Sequence, residues 1–285
     1  MDIKTVGVVG CGLMGSGITE VVARSGYNVI VREVNQNFLD KGLARIQGST
    51  AKAVERNKLT GAERDAILGR IKGTVQLGDL APCDYVIEAV IENLDLKKEV
   101  FGELDRITRP QVIVASNTSS LSIAAMAAMT NKPDKVLGMH FFSPVPVMTL
   151  LEMVRSFMTS EETYRTSRAF GESLGKNIIV AKDAPGFIVN ALLVPYQLDA
   201  IRMYEQGMAS REDIDTGIRL GLRHPMGPLE LADFVGLDVI LLIADAMFEE
   251  TKDSRFAAPP LLRRMVTAGY LGQKAGKGFY EHGKK

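Results

Sequence analysis

The chain has three histidines in unlike settings. His282 lies near the end in "YEHGKK", and His224 lies in a proline-bearing loop, "RHPMGP". His140 closes the apolar run "KVLGMH" and precedes the turn-rich "FFSPVPVM". Farther on, Glu152 stands among Leu150, Leu151, Met153 and Val154, where a carboxylate needs a partner. If the chain reverses around Pro146 and the second run is antiparallel to the first, His140 and Glu152 face each other. The carboxylate would then fix the imidazole tautomer and stabilise the imidazolium formed when the ring takes a proton. That pairing suits a general base. A histidine that merely packs at a strand end is the alternative.

More polar groups gather in "ASNTSSLS" (115–122), directly after the apolar run "QVIV". Asn117 and Ser119 there could bond a cofactor amide or a substrate oxygen, or Ser and Thr could cap the next helix; both can hold. Asn190, set in an apolar helical stretch, is a further polar group in need of a partner.

Close to the start stands "GVVGCGLMGSG" (7–17), in which Gly10, Gly12 and Gly15 fit G-x-G-x-x-G. The ladder follows a β-branched run and opens the helical pattern "LMGSGITEVVARSG". In that context Gly10 permits a tight turn, Gly12 lets a pyrophosphate approach the backbone, and Gly15 lets helix and strand pack closely. The N–H groups of Leu13 and Met14 at the helix start then face the phosphates. Glu33, 21 residues after Gly12, ends the second strand, where an acid accepts the ribose hydroxyls. It favours NAD over NADP, although Arg32 beside it could hold a 2′-phosphate. Cys11 sits where a helix dipole would favour a thiolate, or it simply fills a small space.

These groups need elements to hold them. Runs at 4–10, 28–33, 84–90, 111–117, 135–142, 149–154 and 177–182 predict buried strands, with helix-length segments between them. One helix is expected from about Gln36 to Lys58, and another opens at "TGAE", where Thr60 and Glu63 have capping-box spacing. Strands alternating with crossover helices predict an α/β fold, a Rossmann-like doubly wound and mostly parallel sheet. The texture changes at "KDAPGFIVN", beyond which no strand is expected. We therefore divide the chain into a nucleotide-binding domain, 1–183, and an all-α domain, 184–285. A helix interruption is expected near Pro195, and the tail "EHGKK" is expected to fray.

Lys plus Arg equals Asp plus Glu at 34 each, so no overall charge points to nucleic acid or a membrane surface. Any anionic ligand must be held locally. Cys11 and Cys83 form neither a disulfide framework nor a metal-ligand spacing, so no metal is expected. With no signal segment and no long apolar run, the expectation is a cytoplasmic protein.

Together the pieces support one reaction type. A hydride leaves a secondary alcohol carbon for a nicotinamide while His140 takes the hydroxyl proton. At this point "GCGLMGSGI", "EAVIENLDLKKEVF", "SNTSSLSI", "GMHFFSPVPVM", "PGFIVN" and "HPMGPLELADFVGLD" can be read as one ordered set. In this order and over essentially the whole chain, the sequence resembles the L-3-hydroxyacyl-CoA dehydrogenase family in its short, 3-hydroxybutyryl-CoA form. The resemblance implies His140 as base, Glu152 as its partner, and Ser119 and Asn190 at the substrate. It places NAD against Glu33, Glu92, Lys97, Asn117, Ser119, Ser143 and Lys274. Position 143 is usually Asn in the family, so the shorter Ser143 must reach farther or act through water. Ala191 stands where an Arg is common.

Coenzyme A carries several phosphates, and Ser49, Lys52 and Arg56 share one face of the long helix. They match the region where the family holds the adenosine phosphate; an ordinary solvated face is the alternative. A CoA-independent 3-hydroxyacid dehydrogenase, similar to gulonate dehydrogenase, would not need that face. A nucleotide-binding structural protein without catalysis would not need His140, Glu152, Ser119 and Asn190 together. Phe141, Phe142, Met148 and Met153 could line a short acyl pocket or be plain core. The apolar "VILLIADAMF" (239–248) predicts burial against a second subunit, hence a homodimer.

Overall fold

The computed structural model describes residues 2–283. It divides into two compact units, Met1–Ala184 and Pro185–Lys285. The first carries an eight-stranded sheet in the order β3-β2-β1-β4-β5-β6-β7-β8. Its elements run β1 (Thr5–Val9), α1 (Leu13–Arg24), β2 (Asn28–Arg32), α2 (Gln36–Glu55), α3 (Gly61–Gly69), β3 (Ile71–Thr74) and β4 (Tyr85–Glu88). Then follow α4 (Leu94–Ile107), β5 (Ile113–Ser116), α5 (Ile123–Ala127), β6 (Val136–Phe141), β7 (Leu150–Arg155), α6 (Glu161–Ser173) and β8 (Asn177–Lys182).

Strands β1 to β6 are parallel, and β7 turns back antiparallel to β6. Because helices cover both faces, the central strands are apolar throughout rather than alternating. β4, β5 and β6 are buried at every position. The chain order reverses between β1 and β4, the switch point at which such sheets open a crevice at their carboxyl ends. Glu88, Ser116 and His140 all stand at or next to that edge. The antiparallel return brings the start of β7, and with it Glu152, to the same edge.

Local signals explain the helix starts. Asn35 accepts from Phe38 N at 3.0 Å, and Thr60 and Glu63 form the reciprocal box that opens α3. β3 was not expected. Its "IKGT" is short and has no apolar run; it pairs with β2, while Gly73 leaves room for Leu39 and Leu43.

The described residues of the second unit form α7 (Val189–Glu205), α8 (Arg211–Gly221), α9 (Pro228–Val235), α10 (Leu237–Thr251) and α11 (Pro260–Thr267), with only isolated β-bridges. Their core includes Val194, Leu198, Ile201, Leu229, Ile240, Met247 and Phe279. Two expectations are corrected here. α7 runs unbroken through Pro195, because Val194, Leu198 and Ile201 on either side are locked into that core. The tail does not begin to fray at Glu281: His282 Nε2 lies 2.8 Å from the buried Asp233 carboxylate, which also accepts Phe279 N and Tyr280 N. Lys284 and Lys285 lie outside the described residues. Among the described residues no helix is long and apolar enough to cross a membrane.

Candidate active site

The glycine turn shows three separate reasons for glycine. Gly10 has φ +96°, and a Cβ there would stand 2.6 Å from Ala89 O. A Cβ on Gly15 would overlap the Gly10 carbonyl. Gly12, the exposed N-cap of α1, meets nothing within 4 Å. The protein's own packing thus demands Gly10 and Gly15, whereas Gly12 leaves a cradle that a Cβ would fill. Beside it the first N–H groups of α1, from Leu13 and Met14, have no carbonyl in their own helix. This arrangement fits a pyrophosphate.

Glu33 reaches back to the turn, accepting Cys11 N at 2.7 Å and Val34 N at 2.9 Å. Its carboxylate is thereby oriented while keeping lone pairs for further hydroxyls. Cys11 is fully buried, and Gly42 of α2 is packed onto its Sγ. Burial, then the Glu33 charge, push its thiol up to about 12, with Arg45 pulling weakly the other way. The helix dipole does not win: Cys11 is a small packing residue.

On the far side of the switch point, Glu92 collects the loop after β5. It accepts Thr118 Oγ1 at 2.6 Å, Ser119 N at 2.9 Å and Ser119 Oγ at 3.3 Å. Burial pushes its pKa up, but the Lys97 charge and these hydrogen bonds outweigh it and hold the carboxyl below the usual range. Lys97 is 1% exposed and lies 2.6 Å from Glu88 Oε1 and 3.5 Å from Glu92 Oε2. Glu88 was missed in the sequence. Fully buried at the end of β4, it also accepts Val90 N and Ser116 Oγ. The signal was present, since "YVIEAV" sets a carboxylate among apolar residues just as Glu152 is set.

His140 and Glu152 are register partners across β6 and β7, and Nδ1 lies 2.6 Å from Glu152 Oε2. Glu152 is fully buried and His140 nearly so. With Nδ1 given to the carboxylate, proton exchange with a substrate falls to Nε2. Phe142 packs on the imidazole at 4.5 Å between centroids. Asn117 spends its carbonyl oxygen on Phe141 N at 2.9 Å, which leaves its amide N–H groups for a ligand. Ser143 is exposed in the following turn. Phe141 and Met153 are fully buried core, whereas Met148 is 38% exposed.

Ser49 is half-buried on α2, while Lys52 and Arg56 are exposed, Arg56 as its C-terminal cap. The expected basic face is present, although cations near a helix C-terminus are also favoured by the dipole. In the second unit Asn190 is buried at the start of α7, and Lys274 Nζ lies 2.7 Å from Asp238 at the start of α10.

The chain matches the 3-hydroxyacyl-CoA dehydrogenase NAD binding domain over residues 5–184 and the C-terminal domain of the same enzymes over 186–282. It belongs to the 3-hydroxyacyl-CoA dehydrogenase family. The 3-hydroxybutyryl-CoA dehydrogenase of Mycobacterium tuberculosis is 51% identical over 282 residues, 98% of this chain and 99% of that protein. The crystal structure of FadB2 from that organism shares 50% identity and a TM-score of 0.96 over 99% of both chains. The (S)-3-hydroxybutyryl-CoA dehydrogenase PaaH1 from Ralstonia eutropha shares 43% identity and a TM-score of 0.95, over 99% of this chain and 100% of that one.

Proposed function

We propose that this protein interconverts (S)-3-hydroxybutyryl-CoA and acetoacetyl-CoA, using NAD. The observation that supports this most is the buried His140–Glu152 pair at the same carboxyl edge of the sheet from which β1 leads into the glycine turn. Bound NAD supplies the hydride acceptor for the alcohol carbon. His140 Nε2 takes the hydroxyl proton as the alcohol becomes a ketone, and Glu152 holds the Nδ1 proton and offsets the imidazolium charge. In reduction the same nitrogen returns the proton to the forming alkoxide. Ser119, fixed by Glu92, bonds the substrate's 3-oxygen, and Asn117 bonds the cofactor amide.

Glu33 repels a 2′-phosphate, which supports NAD over NADP. The basic face of Ser49, Lys52 and Arg56 receives the CoA phosphates, and the resemblance assigns Asn190 to the substrate and Ser143 and Lys274 to the cofactor. The protein works as a cytoplasmic homodimer in this reading. In α10, Ile240, Ala244 and Met247 serve the unit's own core, so the face offered to a second copy carries Leu242, which is 58% exposed. Sedimentation at micromolar concentration giving a monomer mass would count against the dimer.

The deciding experiment follows the loss of reduced-nicotinamide absorbance with acetoacetyl-CoA, testing NADH and NADPH in turn. Oxidation of NADH by wild type and its absence in His140→Ala supports the reading. Turnover only with a free 3-keto acid would overturn the CoA assignment.

A further inference from the structure

The strands bearing His140 and Glu152 are joined by a tip, residues 142–149, which is mostly exposed: Ser143, Pro144, Val147, Met148 and Thr149 all face solvent. Its own turn bonds are Val147 N and Met148 N to Pro144 O, at 2.9 and 3.0 Å. Two anchors tie it to the rest of the unit. Val145 is 2% exposed and sits over Gly17 of α1, where an added Cβ would come within 2.9 Å of the Val145 Cβ. From the other side comes Lys176, between α6 and β8, with 9% of its surface exposed. Its Nζ donates to Val145 O and to Met148 O, each at 2.7 Å.

An ammonium buried against two neutral carbonyls is an expensive way to hold a loop. Burial depresses its pKa below the usual lysine range. Such charge-assisted bonds are short and directional, which suits the setting of a position rather than a gain in stability. The tip is clamped onto α1, the same helix whose first N–H groups are placed to receive a dinucleotide. We propose that Lys176 is a positioning residue for the cofactor: it pins the tip against α1, so that Ser143 and the turn beside it meet the nicotinamide half of the dinucleotide in register with His140. The inference rests on the dinucleotide reading above and adds a residue to it.

The test measures NADH affinity by fluorescence titration, separately from turnover, together with melting temperature, in wild type, Lys176→Met, Lys176→Arg, Val145→Ala and the double variant Lys176→Met/Val145→Ala. Losing the two charge-assisted bonds that hold the tip predicts an NADH Kd raised about tenfold in Lys176→Met, with a smaller change in the acetoacetyl-CoA KM. Lys176→Arg, which keeps the cation, should recover most of that affinity. Because Val145 and Lys176 act through one tip, the double variant should lose less affinity than the two single losses combined. An unchanged NADH Kd beside a lowered melting temperature would overturn the proposal, as would additive losses or an Arg variant no better than Met. Wild type that binds no NADH would instead overturn the reading of the whole site.

Discussion

Each unit holds a histidine against a buried carboxylate, and the two pairs do different work. In the first, Glu152 meets His140 Nδ1 at 2.6 Å across adjacent strands, at the edge where the sheet opens. In the second, Asp233 meets His282 Nε2 at 2.8 Å, but it also takes Phe279 N and Tyr280 N. Asp233 is a clasp for the C-terminal segment, and Gly278 is packed so closely that a Cβ there would overlap its carboxylate. Tyr280 OH adds a second fastening on Asp215 at 2.8 Å. Residue types alone therefore do not define a catalytic pair. What separates them is the ring nitrogen engaged and the place in the fold: the first pair joins adjacent strands at the carboxyl edge of the sheet, the second ties a C-terminal segment to α9.

The sharpest way to break this contrast is to remove each imidazole. His140→Ala should lower the rate of acetoacetyl-CoA reduction by about 10²–10⁴-fold, the usual share of a general base, while NADH still binds. His282→Ala should leave that rate within a few-fold and lower the melting temperature. Comparable losses of rate in both variants would erase the distinction.

Changing the carboxylates sharpens it further. In Glu152→Gln an amide N–H can donate to Nδ1, moving the ring proton to Nε2, where the base must be unprotonated. A rate loss on the order of 10²-fold is expected, with little change in melting. Asp233→Asn reverses one acceptor of a buried clasp, which costs about 2–3 kcal/mol and so lowers the melting temperature by about 5–10 °C, seen by circular dichroism. Its turnover at low temperature should be near normal.

Glu88→Gln probes a buried carboxylate between these extremes. Its partners Lys97, Val90 N and Ser116 Oγ hold the loops on which Glu92 and Ser119 stand. Both effects should therefore appear together: a melting temperature lower by a few degrees and an NADH KM raised several-fold. A change in melting alone would place Glu88 with Asp233.

The sequence carried the first unit further than the second, for physical reasons. Most strands are apolar runs, the central parallel ones because both their faces are buried, so seven of the eight could be read directly, and the glycine spacing marked the turn. β3 escaped because its pairing partner, not its composition, makes it a strand. Glu152 was legible because a carboxylate among apolar residues needs a partner; Glu88 obeyed the same logic unread. The Asp233 clasp was not legible, because two of its three donors are backbone N–H groups that any residue supplies. Pro195 misled for a similar reason: tertiary packing of α7 outweighs a local preference.

The smallest effect separates the units through their cysteines, since Cys11 and Cys83 both lie in the first. Burial, aided by Glu33 for Cys11 and by Asp84 for Cys83, raises each thiol from an ordinary value near 9 to about 12. The folded state thus holds these protons more tightly than the unfolded chain does. Their contribution to stability is fully present below about pH 9 and is lost as pH rises through about 12. Burial lowers the pKa of Lys132 and Lys176, which acts with the opposite sign, so the comparison must be between wild type and Cys11→Ala rather than between two pH values alone. Wild-type stability, measured by urea unfolding, should fall more steeply than that of the variant from pH 9 to 10.5. The thiols of the folded wild type should also resist iodoacetamide at pH 8.5, because thiolate is the reacting species and neither site supplies it. Rapid labelling of Cys11 in the folded protein would mean that the start of α1 does stabilise a thiolate, and that the glycine turn is more open than its packing on Gly42 allows.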